Sequence, residues 1–278
     1  MSIVSEKTMS VEPATGTSLS GRAVLRKLRG PLEALGYFLA LVLVWEAAIS
    51  VLEIPGYLFP APSAIGTALW LGIVSGVYPY NLAITMVEVL SGFALGSLAG
   101  LMLGVGMVTI PVLDRVLYPY VVAIQTVPKV AIAPLMIVWF GFGIQSKILM
   151  VAMACMFPVL INTVAGLRAT DSDRLALVRA MCGTNQQVLR FVQLPSALPY
   201  IFAGLNTAIV LAVIGAIVGE FVGARVGIGV LILQANFSLD LASVFALLAL
   251  LSSMGIILNV AMKSIEKRVC FWSGRSSK

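Results

Sequence analysis

The chain has 278 residues, of which 60% are hydrophobic and only 11% charged, with a mean hydropathy of +1.03. A soluble domain carries roughly 25% charged residues, so lipid must solvate most of this surface, and the net charge of +6 is read below as topology rather than as a nucleic-acid footprint. There is no histidine, and Cys155, Cys182 and Cys270 match no metal or disulfide spacing, so neither a catalytic residue nor a metal site is expected.

The first thirty residues are polar, rich in Ser and Thr, and end in the basic run Arg22, Arg26, Lys27 and Arg29. No short apolar core with a small-residue cleavage site follows, which argues against a removable signal peptide. Residues 1–30 are expected to form a flexible cytoplasmic tail, broken from the first span at Gly30-Pro31. A membrane domain over 31–268 and a short cytoplasmic tail over 269–278 follow.

A helix rises about 1.5 Å per residue, so roughly 20 apolar residues cross the hydrocarbon core. This places about six spans near 33–53, 84–108, 116–140, 146–166, 200–222 and 240–262, and an all-α membrane protein. Val89–Leu113, Ile148–Leu167, Phe191–Gly219 and Leu241–Met262 contain no charged residue. The first span contains Glu46. Between it and the second, Phe59-Pro-Ala-Pro-Ser63 opens a short helix at the membrane surface. The third span is an irregular one, because Pro119, Pro128 and Pro134 each remove a backbone donor and Lys129 sits near its middle.

With the N-terminus inside, fifteen Lys and Arg residues fall in cytoplasmic segments and only Lys147 and Arg225 in outer ones. By the positive-inside rule both termini are cytoplasmic.

Span two carries Gly92, Gly96, Gly100 and Gly104, one stripe on a helix, which suits close packing against another backbone. The piece from Gln125 to Pro134 combines an intramembrane lysine with two prolines. A charge at that depth is a functional hypothesis by default, and broken helices survive where they line a cavity or are covered by protein. Gln125, Pro128, Lys129, Pro134 and Asn162 are therefore the candidates for a substrate pathway. The competing reading is that Lys129 snorkels to the interface or balances a buried acid. Glu88 and Glu220 fall near the outer ends of their spans, where water is expected to reach them.

The 167–199 stretch reads as two short amphipathic helices. Arg174–Met181 is the first, ended by Gly183 in the left-handed conformation. Thr184 with Gln187 makes a capping box for the second, Val188, Leu189, Phe191 and Val192 provide its apolar face, and Leu194-Pro195 and Pro199 mark its end. Such a pair is a docking surface for a soluble partner. Membrane flanks on both sides exclude a helix-turn-helix DNA reader.

At this stretch the sequence resembles the permease subunits of ABC importers. Gly183 and Leu194-Pro195 stand in the places of that family's cytoplasmic signature, while its Glu-Ala-Ala triplet is replaced by Leu177, Val178 and Arg179. The run Gln125-Thr-Val-Pro-Lys-Val-Ala-Ile-Ala-Pro-Leu135 resembles the nitrate/sulfonate/taurine class more specifically. So do Trp139-Phe-Gly-Phe-Gly143, the segment 157–167, and Gly219-Glu-Phe-Val-Gly223 with Gly227-Ile-Gly229. Glu88 stands where many members carry a basic residue, which leans towards permeases for thiamine-precursor pyrimidines.

The resemblance implies a type I importer permease fold in a bacterial inner membrane. It implies a second permease copy as a homodimer, cytoplasmic ABC ATPase subunits, and a periplasmic or extracellular substrate-binding protein. Arg179, Gly183, Thr184, Gln187, Leu194 and Pro195 would couple to the ATPase. No Gly-x-x-x-x-Gly-Lys-Ser/Thr loop is present, so ATP and Mg would be held by the partner and this chain would bind no cofactor. An ion-coupled secondary transporter is the alternative. It predicts a charged relay deep in several spans, and an intramembrane enzyme predicts paired acids; the sequence suggests neither.

Overall fold

The computed structural model describes residues 21–272, with side chains from Gly36 onwards together with Glu33. Residues 1–20 and 273–278, which make up most of the two expected tails, lie outside the described residues. The chain divides into two units, Met1–Glu53 and Ile54–Lys278.

The first unit contains one helix, α1 (Gly21–Val51). It already runs through Gly30-Pro31, so the tail expected to reach residue 30 gives way to helix at Gly21. The good helix formers Ala23, Leu25, Lys27 and Leu28 favour that earlier start. Within it, the described stretch Gly36–Val51 is apolar, with Glu46 its one charged residue.

The second unit is helical throughout. Its elements are α2 (Pro62–Val74), α3 (Val77–Thr109), α4 (Pro111–Gln125), α5 (Lys129–Phe140), α6 (Ile144–Arg168), α7 (Ser172–Ala180), α8 (Asn185–Val188), a π-helical turn (Leu189–Gln193), α9 (Leu194–Gly223), α10 (Ile228–Phe237) and α11 (Leu241–Val269). Among the described residues α3, α6, the continuous Asn185–Gly223 helix and α11 are long and apolar enough to cross a membrane. The pair α4 and α5 makes a fifth if counted as one span, bent by 101°. Among the described residues this makes four candidate spans and a broken fifth, while the first of the six expected, near 33–53, falls on α1, whose side chains are described only in part.

The break has a local cause. Val127 precedes proline, which disfavours the helical region, and Pro128 becomes the N-cap of α5 in an extended conformation. Gly141 at φ 76° then ends α5 where a side chain would strain the backbone.

The centre of the unit is α6, packed between α3 and α9. Its apolar window is 56% buried against 17% for α11, so α6 is the core helix and α11 the least buried of the four long candidate spans. The α3–α6 contact is made by the glycine stripe. A Cβ on Gly92 would meet Val151, one on Gly96 the Ala152 carbonyl, one on Gly100 the Met156 carbonyl, and one on Gly104 the Thr163 Cβ at 2.8 Å. On the other side of α6, Gly204 of α9 lies against the Pro158 carbonyl, where an added Cβ would stand 2.9 Å away. Val89, Val151, Cys155, Val159, Ala208 and Ala212 fill the space between the three helices. In lipid, where apolar burial between helices has little solvent drive, such close van der Waals contact is what holds spans together.

Candidate functional site: a broken span, a docking segment and a buried polar cluster

Three regions carry the polar chemistry. The first is the corner between α4 and α5. Gln125 ends α4, Pro128 caps α5, and Lys129 is the first residue of α5. Lys129 is half-buried, and its Nζ lies 5.8 Å from the centre of the Phe157 ring on α6. A cation at a helix N-terminus opposes the helix dipole; the ring face offsets part of that cost. No side chain caps α5. The corner is therefore a concentration of positive potential at a break in an apolar span. Pro134 lies inside α5 and is exposed. Asn162, one turn along α6 from Pro158, donates its side-chain amide to the Pro158 carbonyl at 2.8 Å. Gln125 lines a cavity of about 380 Å³ between α4 and α6, together with Tyr118, Ile161 and Arg168.

The second region follows Arg168. Asp171 caps α7, accepting from the Asp173 N–H at 2.8 Å. At the other end of α7 the Cys182 N–H donates to the Arg179 carbonyl and the Gly183 N–H to the Val178 carbonyl, each at 2.9 Å. This pair of bonds is a Schellman ending. Its left-handed residue is Cys182, at φ 59°, and not Gly183 as the sequence suggested. Glycine is needed at 183 for another reason: a Cβ there would stand 2.6 Å from Val178 Cγ1 and 2.8 Å from the Val178 carbonyl oxygen.

Thr184 opens α8 with a full capping box. Its N–H donates to Gln187 Oε1 at 2.8 Å, and the Gln187 N–H donates to Thr184 Oγ1 at 3.3 Å. The second short helix does not stop at Leu194-Pro195 or Pro199. It continues as α9, because a π-helical turn precedes Pro195, with the Leu194 N–H donating to the Leu189 carbonyl. That wider turn relieves the clash a proline ring makes with the preceding turn of an α-helix.

The expected apolar face divides. Val188 is buried and Leu189 packs beneath, while Phe191 is 68% exposed. On α7, Leu177 and Met181 are also exposed, and Arg179 lies on the surface. Three large apolar side chains held outward by capped helices make a surface fit for a protein partner. Leu177 and Met181 were missed in the sequence, although their i, i+4 spacing puts them on one face of α7 and its cap.

The third region, at the opposite ends of the same spans, was not anticipated. Glu88 and Glu220 do not face water: they are 2% and 1% exposed, and Lys147, read from sequence as an outer loop charge, is 3% exposed. The fold brings one from each of α3, α9 and α6 together, so the chain does contain a pair of intramembrane acids. The two carboxyl groups lie close enough to interact, and Lys147 attracts both.

Lys147 Nζ donates to the carbonyls of Phe142 at 2.6 Å, Gly143 at 3.0 Å and Gly223 at 3.1 Å. Glu220 accepts from Thr85 Oγ1 at 2.6 Å and from the Gly229 N–H. Thr85 accepts from the Ile228 N–H at 3.0 Å, and Asn81 from the Gly227 N–H at 2.7 Å. The first-turn donors of α10 are thus satisfied by side chains of other helices, with Glu220 at the favourable end of the helix dipole.

The Gly227-Ile-Gly229 pattern follows from this. Gly227 has φ 126°, and a Cβ on either glycine would collide with the Glu220 carboxyl. All three Lys147 donors and both Glu220 oxygens are committed, so the cluster clamps the α5–α6 and α9–α10 connections.

Comparison with known proteins agrees with this architecture. Solved structures with the same fold include the inward-facing MetNI methionine ABC transporter, at 22% identity and a TM-score of 0.58, covering 72% of this chain and 97% of that one. An amino acid ABC transporter, at 16% identity, has a TM-score of 0.57 and covers 73% and 96%. Relatives in sequence include the riboflavin transport system permease protein RibX of Chloroflexus aurantiacus, 35% identical over 94% of this chain and 97% of its own. The formylaminopyrimidine transport permease protein ThiX of Halalkalibacterium halodurans is 34% identical over 87% and 96%. The putative aliphatic sulfonates transport permease protein SsuC of Bacillus subtilis is 29% identical over 94% of each. Residues 92–270, which run from the first glycine of the stripe to the end of α11, match a single family. With its apolar helices and this match together, the chain is a multi-pass membrane protein that belongs to the binding-protein-dependent transport system inner membrane components, the permeases of ABC importers.

Proposed function

We propose that this permease moves a small polar or anionic solute, or a pyrimidine-like heterocycle, inwards past the α4–α5 corner, with Lys129 as the residue that meets it. The observation that carries the reading is the half-buried Lys129 amine at the uncapped start of α5, beside the Phe157 ring. A cation held on a buried aromatic ring at a helix N-terminus suits an anion or a solute with polar edges. The relatives at 35% and 34% identity are named for riboflavin and formylaminopyrimidine, and the SsuC relative for aliphatic sulfonates. Both chemistries fit such a corner.

In this reading both termini and the 167–199 segment are cytoplasmic, as the lysine and arginine bias requires. A separate ATPase subunit holds ATP and Mg, and docks on Leu177, Met181 and Phe191. Arg179, Thr184, Gln187, Leu194 and Pro195 shape that surface. A binding protein delivers solute from outside, and a second copy of the chain completes the pathway. The test is uptake into vesicles holding permease, ATPase and binding protein, with riboflavin, formylaminopyrimidine and taurine as solutes. ATP-dependent uptake of one of them is expected, reduced about tenfold or more by Lys129→Met with assembly intact. Uptake that ignores ATP and collapses with an uncoupler would overturn the reading in favour of an ion-coupled transporter.

A further inference from the structure

We infer that the Asp114–Arg168 ion pair is the joint through which movement of the docking segment reaches the broken span. The inference rests on the function proposed above and names a positioning pair within it. Arg168 Nη2 donates to Asp114 Oδ2 at 2.7 Å. Arg168 is the last residue of α6, immediately before the docking segment, and Asp114 lies in the first turn of α4. Both charges sit at the helix ends that favour them.

The rest of the unit shows why a joint is needed. A push on the docking segment acts on α6 and α9, and these form one block with α3. Glycines on α3 and α9 bring backbones into contact, and any sliding would drive Gly96 or Gly100 against α6 carbonyls. Interlocked cores of this kind move as rigid bodies.

By contrast, α4 has no fully buried residue. Its apolar side, Leu113, Leu117 and Val121, rests half-buried on Met107, Leu160 and Val164. Behind it lies the cavity of about 380 Å³ between α4 and α6. It can therefore shift against α6 without breaking the core, and its far end is the corner that bears Lys129. The ion pair ties its near end to α6.

The pair contributes little to stability. The Arg168 and Asp114 side chains are 48% and 30% exposed, and pairs in such settings contribute at most about 1 kcal/mol. A contact that weak can form and part in every cycle while still setting where α4 stands.

The test uses vesicles with the permease, its ATPase and its binding protein, and measures solute taken up per ATP hydrolysed. Asp114→Asn and Arg168→Gln are expected to lower that ratio about 2- to 5-fold, the most a contact of up to about 1 kcal/mol can set. Their thermal midpoints and ATPase co-purification should match wild type, and Asp114→Glu should restore the ratio. A wild-type ratio in Asp114→Asn would overturn the inference. So would a loss of uptake that merely parallels a loss of thermal stability or of bound ATPase. Wild-type vesicles without ATP-driven uptake would instead overturn the proposed function, and this joint with it.

Discussion

Replacing Lys147 by Met should be among the most damaging single changes outside the α3–α6 interface. The methionine matches the lysine stem in length, so packing is nearly kept and the loss is chiefly electrostatic. Three backbone carbonyls, of Phe142, Gly143 and Gly223, lose their shared donor. Glu88 and Glu220 lose the cation that attracts both. Leaving a buried polar group without its hydrogen-bond partner costs about 1–3 kcal/mol, and all three side chains here are at most 3% exposed. A second change should restore part of this. Glu88→Gln removes one acid and supplies an amide that can donate to Glu220, so the Lys147→Met/Glu88→Gln pair should regain at least about 1 kcal/mol, within the usual range of pairwise coupling. Unfolding of the detergent-solubilised chain, followed by thermal and denaturant titration, measures both. The clamp reasoning is refuted if Lys147→Met costs under about 1 kcal/mol, or if the double variant is no more stable than the single one.

Gly96→Leu should prevent assembly, since even a Cβ at that position collides with the Ala152 carbonyl; size-exclusion profiles of the variant should show aggregate, while Leu95→Ala, on the exposed side of α3, elutes as wild type. Cys182→Gly should stabilise the α7 ending by about 1 kcal/mol, because glycine adopts positive φ without the side-chain penalty; a lower melting temperature would show that the Cys182 side chain matters more than its backbone. Met181→Ala with Phe191→Ala should weaken ATPase co-purification at least about tenfold if these exposed residues are interface anchors, and unchanged recovery of the ATPase would remove them from the docking surface.

The sequence by itself determined what depends on composition and local order. Charge-free stretches long enough to span a bilayer located α3, α6, α9 and α11, although all but α6 run on beyond one expected end, because insertion requires only a local apolar run and a helix can continue past it. Proline chemistry marked the third span as irregular without showing that Pro128, and not Pro119 or Pro134, breaks it, and Thr184 with Gln187 marked a helix start, since caps and breakers act within one turn.

What it could not decide was partnership across helices. Nothing local to Glu88, Lys147 or Glu220 shows that the three meet, as they lie on different spans and only packing makes them neighbours. Water access was misjudged for the same reason: nearness to a span's end does not reveal the loops that Asn81 and Thr85 fold over Glu220. Gly183 reads locally as a left-handed residue, yet the tertiary turn puts that conformation on Cys182 and leaves Gly183 the task of admitting Val178. Pro195 reads as a stop, but a π-helical turn absorbs it and the helix runs on to Gly223. Nothing local pairs Asp114 with Arg168 until α4 folds back along α6 and sets them 2.7 Å apart. Local sequence carries propensity and hydropathy, whereas distances between side chains on separate helices are set by which backbones can approach, and that is decided only when the glycine faces of α3 and α9 close on α6.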